Sequence, residues 1–157
     1  MSFVRTDDGL QIYYEERGSG PAVLFNHGFR ADSGMWRNQM AAVSDRYRVI
    51  SWDMRGHGRS DSPDDPAAYS LEHSVADTLT VLRSCGVERA AVGGLSLGGL
   101  VSLGLHLAHP HRTAALMLFD TGPGQRKVAP QGGEAKVRSE PPGWAHTRRA
   151  ILERPHD

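Results

Sequence analysis

Four short runs of apolar residues constrain the fold of this chain more than any other feature. They span residues 22–26, 48–52, 90–94 and 114–119. None alternates polar with apolar side chains as a half-exposed strand does, so we expect strands buried on both faces. Segments with helical spacing of their apolar residues follow three of these runs. This alternation predicts an α/β fold, with a mostly parallel sheet and helices on both faces.

The ends of the three predicted helices carry residues that commonly start or stop helices. Ser33 is a candidate cap for a helix over residues 33–45, and Ser70 caps a second helix that Gly86 ends. The third helix spans residues 97–108, and the His-Pro pair after it stops it. These signals place one helix after each of the first three apolar strands.

The N-terminal segment predicts a β-hairpin ahead of these units. Residues 2–6 and 10–17 read as strands, and Asp8-Gly9 between them is a strong turn signal. The hairpin would add antiparallel strands to one side of the sheet.

Composition excludes several functional classes. The 18 basic and 18 acidic residues balance to a net charge of zero, so no nucleic-acid partner is expected. The single cysteine, Cys85, excludes an internal disulfide framework and a four-thiolate zinc site. The sequence contains neither a metal-binding constellation nor a dinucleotide fingerprint, so we expect no metal and no cofactor. A small-molecule substrate or ligand is the expected partner.

The sequence also predicts a cytoplasmic protein without a membrane partner. The N-terminus lacks the apolar core of a secretory signal. Residues 90–108 form an uncharged run long enough to cross a bilayer, but glycines divide it into a strand, a turn and a helix.

The strongest chemical signal is a G-x-S-x-G pattern formed by Gly94, Ser96 and Gly98. It lies between a predicted strand and a predicted helix, where a sharp turn exposes the serine hydroxyl above the sheet. The flanking glycines are expected because the strand and helix backbones crowd each other there. Ser96 is therefore the predicted nucleophile, and the alternative is a glycine-rich packing turn with an idle serine.

The strand at residues 22–26 ends in a second motif, Asn26-His27-Gly28-Phe29. Gly28 lets the backbone curl at the strand end, so that the Phe29 amide faces the cleft. Together with the Leu97 amide it would form a two-donor oxyanion hole. We interpret His27 as a structural residue rather than the general base.

A turn rich in charge and glycine, residues 53–61, follows the strand at 48–52. Asp53 and Arg55 are expected to hold this loop through internal hydrogen bonds. A phosphate-binding loop is a weaker alternative, because no Gly-Lys-Ser/Thr sequence follows.

Four motifs in this order and spacing resemble the α/β-hydrolase fold superfamily. They are NHGF (26–29), DMRGHGRSD (53–61), GLSLGG (94–99) and LFDTGPG (118–124), and the resemblance covers about residues 3–124. It is greatest to the serine esterase, lactonase and carbon–carbon hydrolase branches. It implies acyl transfer from ester-type or related carbonyl substrates to water through an acyl-enzyme. Ser96 distinguishes the chain from the haloalkane dehalogenase and epoxide hydrolase branches, which use a carboxylate at this position.

The resemblance also implies that catalytic parts are missing. Members of the superfamily have a cap after the sixth strand, an acid after the seventh and a histidine after the eighth. We therefore expect residues 1–124 to be the N-terminal part of a hydrolase core, truncated after its sixth strand. Residues 125–157 contain both lysines and several prolines. They are interpreted as an atypical basic tail, disordered or frameshifted, or as the start of a cap.

The general base stays unknown at this stage. Asp120 is a candidate acid, since some relatives take their acid from this position, and a loop-capping role is the alternative. His57 and His73 precede the serine and match no position of a family base. The five histidines after Ser96 are His106, His109, His111, His146 and His156. Of these, His146 and His156 could reach Ser96 if the tail folds back.

Two further functions stay open beside the incomplete hydrolase. The chain could be a non-catalytic module that binds a small ligand, or one half of a split hydrolase that pairs with a C-terminal chain. The apolar strand at residues 114–119 would lie at the edge of the sheet, where unpaired backbone groups favour self-association.

Overall fold

The computed structural model describes residues 2–122, which form a six-stranded sheet with helices on both sides. The strands are β1 (Ser2–Arg5), β2 (Gln11–Arg17), β3 (Ala22–Asn26), β4 (Arg48–Trp52), β5 (Ala90–Leu95) and β6 (Thr113–Phe119). The helices are α1 (Arg37–Val43), α2 (Leu71–Ser84) and α3 (Leu97–Ala108). Short 3-10 turns cover Ser33–Trp36, Pro66–Ala68 and Pro110–Arg112.

The strand order across the sheet is β1-β2-β4-β3-β5-β6. The hairpin strands β1 and β2 pair antiparallel, and β2 pairs antiparallel with β4. The remaining neighbours, β4 with β3, β3 with β5 and β5 with β6, are parallel. The predicted hairpin and the predicted mostly parallel sheet are both confirmed.

Two apolar clusters lie on opposite faces of the sheet. Because side chains alternate along a strand, Leu24 faces one cluster while Val23 and Phe25 face the other. Leu24 packs in the larger cluster, which α2 and α3 cover. Val23 and Phe25 pack in the smaller cluster, together with Trp36 and Met40 from the first helical segment. The expectation of helices on both faces is therefore confirmed.

The helix ends differ from the sequence prediction in one place. The first helical segment begins with a 3-10 turn, and the side chain of Asp32 rather than Ser33 accepts the capping hydrogen bond, from the Gly34 amide at 2.8 Å. The prediction for Ser33 was wrong because Ser33 is already the first residue of the 3-10 turn, whereas Asp32 precedes the turn in extended backbone. Ser70 caps α2 as predicted, and Gly86 follows that helix at φ 64°.

The parallel strands all end at one edge of the sheet. β3, β4, β5 and β6 point the same way, so the segments after Asn26, Trp52, Leu95 and Phe119 meet there. In open α/β sheets ligands bind at this edge. No helix within residues 2–122 is long and apolar enough to cross a membrane. The segment 125–157 lies outside the described residues, so the predicted boundary after 124 stays a prediction.

Candidate active site

Ser96 occupies a sharp turn between β5 and α3. Its backbone has φ 51° and ψ −110°, a conformation that non-glycine residues rarely adopt, and the residue is exposed. It caps α3 without a side-chain capping hydrogen bond, and its hydroxyl has no hydrogen-bond partner among residues 2–122. Strained backbone that presents an unengaged hydroxyl is the geometry of a nucleophile elbow.

Two glycines allow this turn because the neighbouring backbones come very close. A Cβ on Gly94 would collide with the backbone of Gly98, and a Cβ on Gly98 would collide with the carbonyl oxygens of Asn26 and His27. The close approach lets α3 begin directly above the sheet edge. The N-terminus of α3, with its partial positive charge, then faces the site.

Two hydrogen bonds hold the backbone of Ser96, one from β6 and one from the residue that follows Asp120. The Ser96 amide donates to the Phe119 carbonyl at 3.0 Å. The hydroxyl of Thr121 donates to the Ser96 carbonyl at 2.6 Å. A Cβ on Gly99 would collide with the Thr121 side chain, so the second glycine of Gly98-Gly99 makes room for this contact. Sequence reasoning missed Thr121, although it lies within the LFDTGPG motif.

Asp120 lies between these two contacts. It directly follows β6, has a positive φ of 42° and is exposed. Its backbone therefore comes to the same sheet edge as Ser96, although its carboxylate makes no hydrogen bond to the described residues. Its assignment as a triad acid stays a prediction.

The two predicted oxyanion-hole residues line a common cavity of about 380 Å³. Phe29 follows β3 and Leu97 follows Ser96, so two separate strands bring them together. Met54, His57 and Tyr69 from the loop after β4 close other sides of this cavity. The sequence did not predict that these three residues line a pocket, because no local sequence pattern indicates which loop side chains come together in the fold.

His27 is completely buried, and both of its ring nitrogens are engaged. Nε2 accepts a hydrogen bond from the Met54 amide at 2.9 Å, so Nδ1 carries the proton and donates to the Gly28 carbonyl at 2.7 Å. Burial lowers the pKa of His27, which favours this neutral form. The ring ties the loop after β3 to the loop after β4, which supports a structural role.

Asp53 organises the loop after β4 through backbone amides. It is buried, and its two carboxylate oxygens accept from the Ser33 amide at 2.6 Å and the Arg59 amide at 2.8 Å. A Cβ on Gly58 would collide with this carboxylate. These contacts agree with the expected loop-holding role of Asp53.

Arg55 ties the same loop to helix α2. Its guanidinium donates to both carboxylate oxygens of Asp77, at 2.7 and 2.8 Å, and also to Asp8 and the Ala68 carbonyl. Burial by itself would lower the pKa of Arg55. The nearby carboxylates of Asp77 and Asp8 outweigh burial, so the pKa of Arg55 is raised. Burial also raises the pKa of Asp77 against the attraction of Arg55. Sequence reasoning missed Asp77.

A chain of buried polar groups supports the floor of the site. The Trp52 indole donates to the Asn26 side chain at 2.6 Å, and the Asn26 amide donates to the Ser102 hydroxyl at 2.8 Å. Ser102 in turn donates to the Gly98 carbonyl at 2.8 Å. These bonds connect β4, β3 and α3 directly beneath the elbow.

The described histidines that follow Ser96 in the sequence lie away from it. His106, His109 and His111 lie at the far end of α3 or beyond it, roughly 13 Å or more along the helix axis from its start. His146 and His156 lie outside the described residues. Burial raises the pKa of the Cys85 thiol to about 11, which makes a reactive thiolate unfavourable.

A larger cavity of about 570 Å³ lies elsewhere, over β2 and the first helical segment. Its lining includes Glu15, Arg17, Arg37 and Arg59, and it contains neither Phe29 nor Leu97. We assign the candidate site to the smaller cavity because only that one adjoins the elbow. The part of the chain that the structure describes contains no cluster of metal-ligating side chains.

Comparison with known proteins agrees with this geometry. The sequence profile of the alpha/beta hydrolase fold matches residues 21–157, which includes the segment after 124. The chain belongs to the α/β-hydrolase fold family.

Relatives in this family are hydrolases of several kinds. The chain is 37% identical to an epoxide hydrolase of Caballeronia sordidicola over 69% of its length and 33% of that protein. It is 39% identical to the 3-oxoadipate enol-lactonase 1 of Acinetobacter baylyi over 61% of its length and 35% of that protein. A crystal structure of a hydrolase from Pseudomonas aeruginosa superimposes with a TM-score of 0.75 at 34% identity, covering 80% of this chain and 48% of the other. The chain thus spans about a third to a half of these hydrolases.

Proposed function

We propose that this α/β-hydrolase chain carries the nucleophile and oxyanion hole of a serine hydrolase acting on ester-type or related carbonyl substrates. The observation that carries the proposal is the elbow: Ser96 is exposed at φ 51° at the start of α3. The cavity that Phe29 and Leu97 line adjoins it.

The reaction would run through an acyl-enzyme. The Ser96 oxygen attacks the substrate carbonyl carbon, and the carbonyl oxygen becomes an oxyanion that the Phe29 and Leu97 amides stabilise. A general base takes the serine proton and returns it to the leaving alkoxide, which departs as an alcohol. Water then attacks the acyl group, so the acid is released and Ser96 regains its proton.

The residue at the elbow favours carbonyl substrates over epoxides. Relatives include both an epoxide hydrolase and an enol-lactonase. The epoxide hydrolase branch of the superfamily uses a carboxylate at the elbow, whereas this chain has a serine hydroxyl. A serine adds readily to a carbonyl carbon that an oxyanion hole polarises, which fits ester and lactone substrates.

The general base has no assigned residue within 2–122. Asp120 is the proposed acid partner, and the base would come from His146, His156 or a further polypeptide segment. Without a base, the serine hydroxyl is a weak nucleophile, and loss of a triad member typically costs a factor of about 10⁴. We therefore propose that this chain by itself is an incomplete hydrolase.

The test compares p-nitrophenyl butyrate hydrolysis by the 157-residue protein, Ser96→Ala and Ser62→Ala, each with and without added imidazole as an external base. Ser62 is an exposed serine far from the elbow in sequence and serves as the matched control. We expect a butyryl adduct on Ser96 by mass spectrometry. With imidazole present, we also expect a rate above that of imidazole alone, which Ser96→Ala abolishes and Ser62→Ala retains. Equal rates in all three folded proteins, without an adduct, would instead favour a non-catalytic binding module.

A further inference from the structure

The cavity beside the elbow has an uneven charge. Its charged lining residues are the arginines Arg30 and Arg55, and no aspartate or glutamate of the described chain lines it. A positive charge that no carboxylate neutralises attracts anionic ligands to a cleft. The remaining walls near the elbow include the apolar side chains of Met54 and Leu97.

The two arginines differ in what they already bind. Arg55 is buried, and its guanidinium is occupied by Asp77, Asp8 and the Ala68 carbonyl. Arg30 is exposed at the cavity and forms no salt bridge with any carboxylate of residues 2–122. Of the two arginines that line the cavity, Arg30 is thus the one whose guanidinium has no carboxylate partner among residues 2–122.

The backbone of Arg30 supports a functional role independently of its charge. The Ala31 amide donates to the Gly28 carbonyl at 3.1 Å and closes a turn in which Arg30 has φ 63°. This position of such a turn usually holds glycine or asparagine, because other side chains strain the backbone there. A strained arginine directly after an oxyanion-hole residue points to a function at that site.

We propose that the cavity selects esters or lactones that carry a second, ionised carboxylate, and that Arg30 is the residue that binds this carboxylate. The reacting carbonyl would lie at Ser96 while the apolar walls contact the spacer between the two groups. This inference rests on the proposed function of the site and names the substrate class that the site would accept.

The experiment measures binding rather than turnover, and it uses the 157-residue protein with Ser96→Ala so that no probe is consumed. Isothermal titration calorimetry compares monomethyl with dimethyl succinate and monomethyl with dimethyl adipate. Each pair differs in one negative charge, and the two spacer lengths allow for the span between Ser96 and Arg30. We expect one monoester to bind about fivefold more tightly than its diester, with the preference shrinking at high salt.

Variants in the Ser96→Ala background identify the residue responsible. Arg30→Gln should abolish the preference for the monoester, and Arg30→Lys should retain part of it. Arg46→Gln is the matched control, because Arg46 is an exposed arginine outside the cavity, and it should leave the preference unchanged. Circular dichroism checks that each variant is folded.

Three results would overturn the proposal: equal binding of monoester and diester, a preference that survives Arg30→Gln, or no binding of any probe. These results are separate from a failure of the proposed catalytic function. A protein that forms no adduct on Ser96 but shows the Arg30-dependent preference would be a binding module for carboxylate esters. A protein that forms the adduct without the preference would be a hydrolase of neutral substrates.

Discussion

Ser96, Arg30 and Asp120 are the non-glycine residues of the described chain with positive φ, at 51°, 63° and 42°. Each follows one of the parallel strands closely, so the three lie at the same edge of the sheet. Strained backbone survives only where the surrounding structure enforces it, and it clusters at functional sites. The three residues therefore support this edge of the sheet as the candidate site, independently of any motif.

The glycines around Ser96 are required because neighbouring backbone atoms leave no space for a Cβ atom. This gives a prediction at the residue scale. Gly98→Ala would place a methyl group against the carbonyl oxygens of Asn26 and His27, which are main-chain atoms that cannot move away cheaply. We expect the free energy of unfolding to fall by about 2–3 kcal/mol, measured by urea denaturation. Gly122→Ala is the control, because its added methyl group would meet no atom of residues 2–122 within 4 Å. Equal stability of the two variants would contradict the close approach of α3 to β3.

At the scale of elements, the loop after β4 is fixed to helix α2 by one buried ion pair. Arg55 and Asp77 are almost completely buried, and their bonds join residues that lie 22 positions apart. Such a pair adds little stability over apolar residues, yet removing one partner leaves a charge that is buried and poorly compensated.

Asp77→Asn should therefore lower the free energy of unfolding by about 3–5 kcal/mol. The loss will be smaller to the extent that Asp8 still compensates the charge of Arg55. Glu16→Gln is the matched control, since the Glu16–Arg48 pair at 2.6 Å is partly exposed and such pairs contribute about 0–1 kcal/mol. The midpoint of urea unfolding, at unchanged slope, measures both effects. A smaller loss for Asp77→Asn than for Glu16→Gln would refute this account of the loop.

At the scale of the whole molecule, β6 lies at the edge of the described sheet and carries exposed apolar side chains. Leu118 and Phe119 are 43% and 40% exposed. Unpaired backbone groups beside apolar side chains are a template for pairing with another strand.

We accordingly expect the 157-residue protein to self-associate through β6. Size-exclusion chromatography with light scattering at several concentrations would show dimers or larger species, and Leu118→Lys should shift them toward monomer. Leu107→Lys controls for a change in apolar surface alone, because Leu107 is equally exposed, at 45%, but lies on helix α3. A monomer at all concentrations would rule out this use of the edge.

The sequence by itself determined the strands, the helices and the elbow, because each depends on local information. Continuous apolar runs predicted β3, β4 and β6 to within a residue, and the G-x-S-x-G pattern located the turn that carries Ser96. Ser33 was a wrong cap because two neighbouring residues could both accept the same hydrogen bond, and only the backbone direction decided between them.

Tertiary structure alone decided which distant side chains meet. The pairing of Arg55 with Asp77, the hydrogen bond from Thr121 to Ser96 and the opening of Arg30 onto the cavity all join separate segments. No periodicity or motif encodes such contacts, because they follow from how the sheet brings the ends of four parallel strands to one edge. The elbow that carries Ser96 could therefore be read from the sequence, whereas the charge of the cavity beside it could be read only from the folded chain.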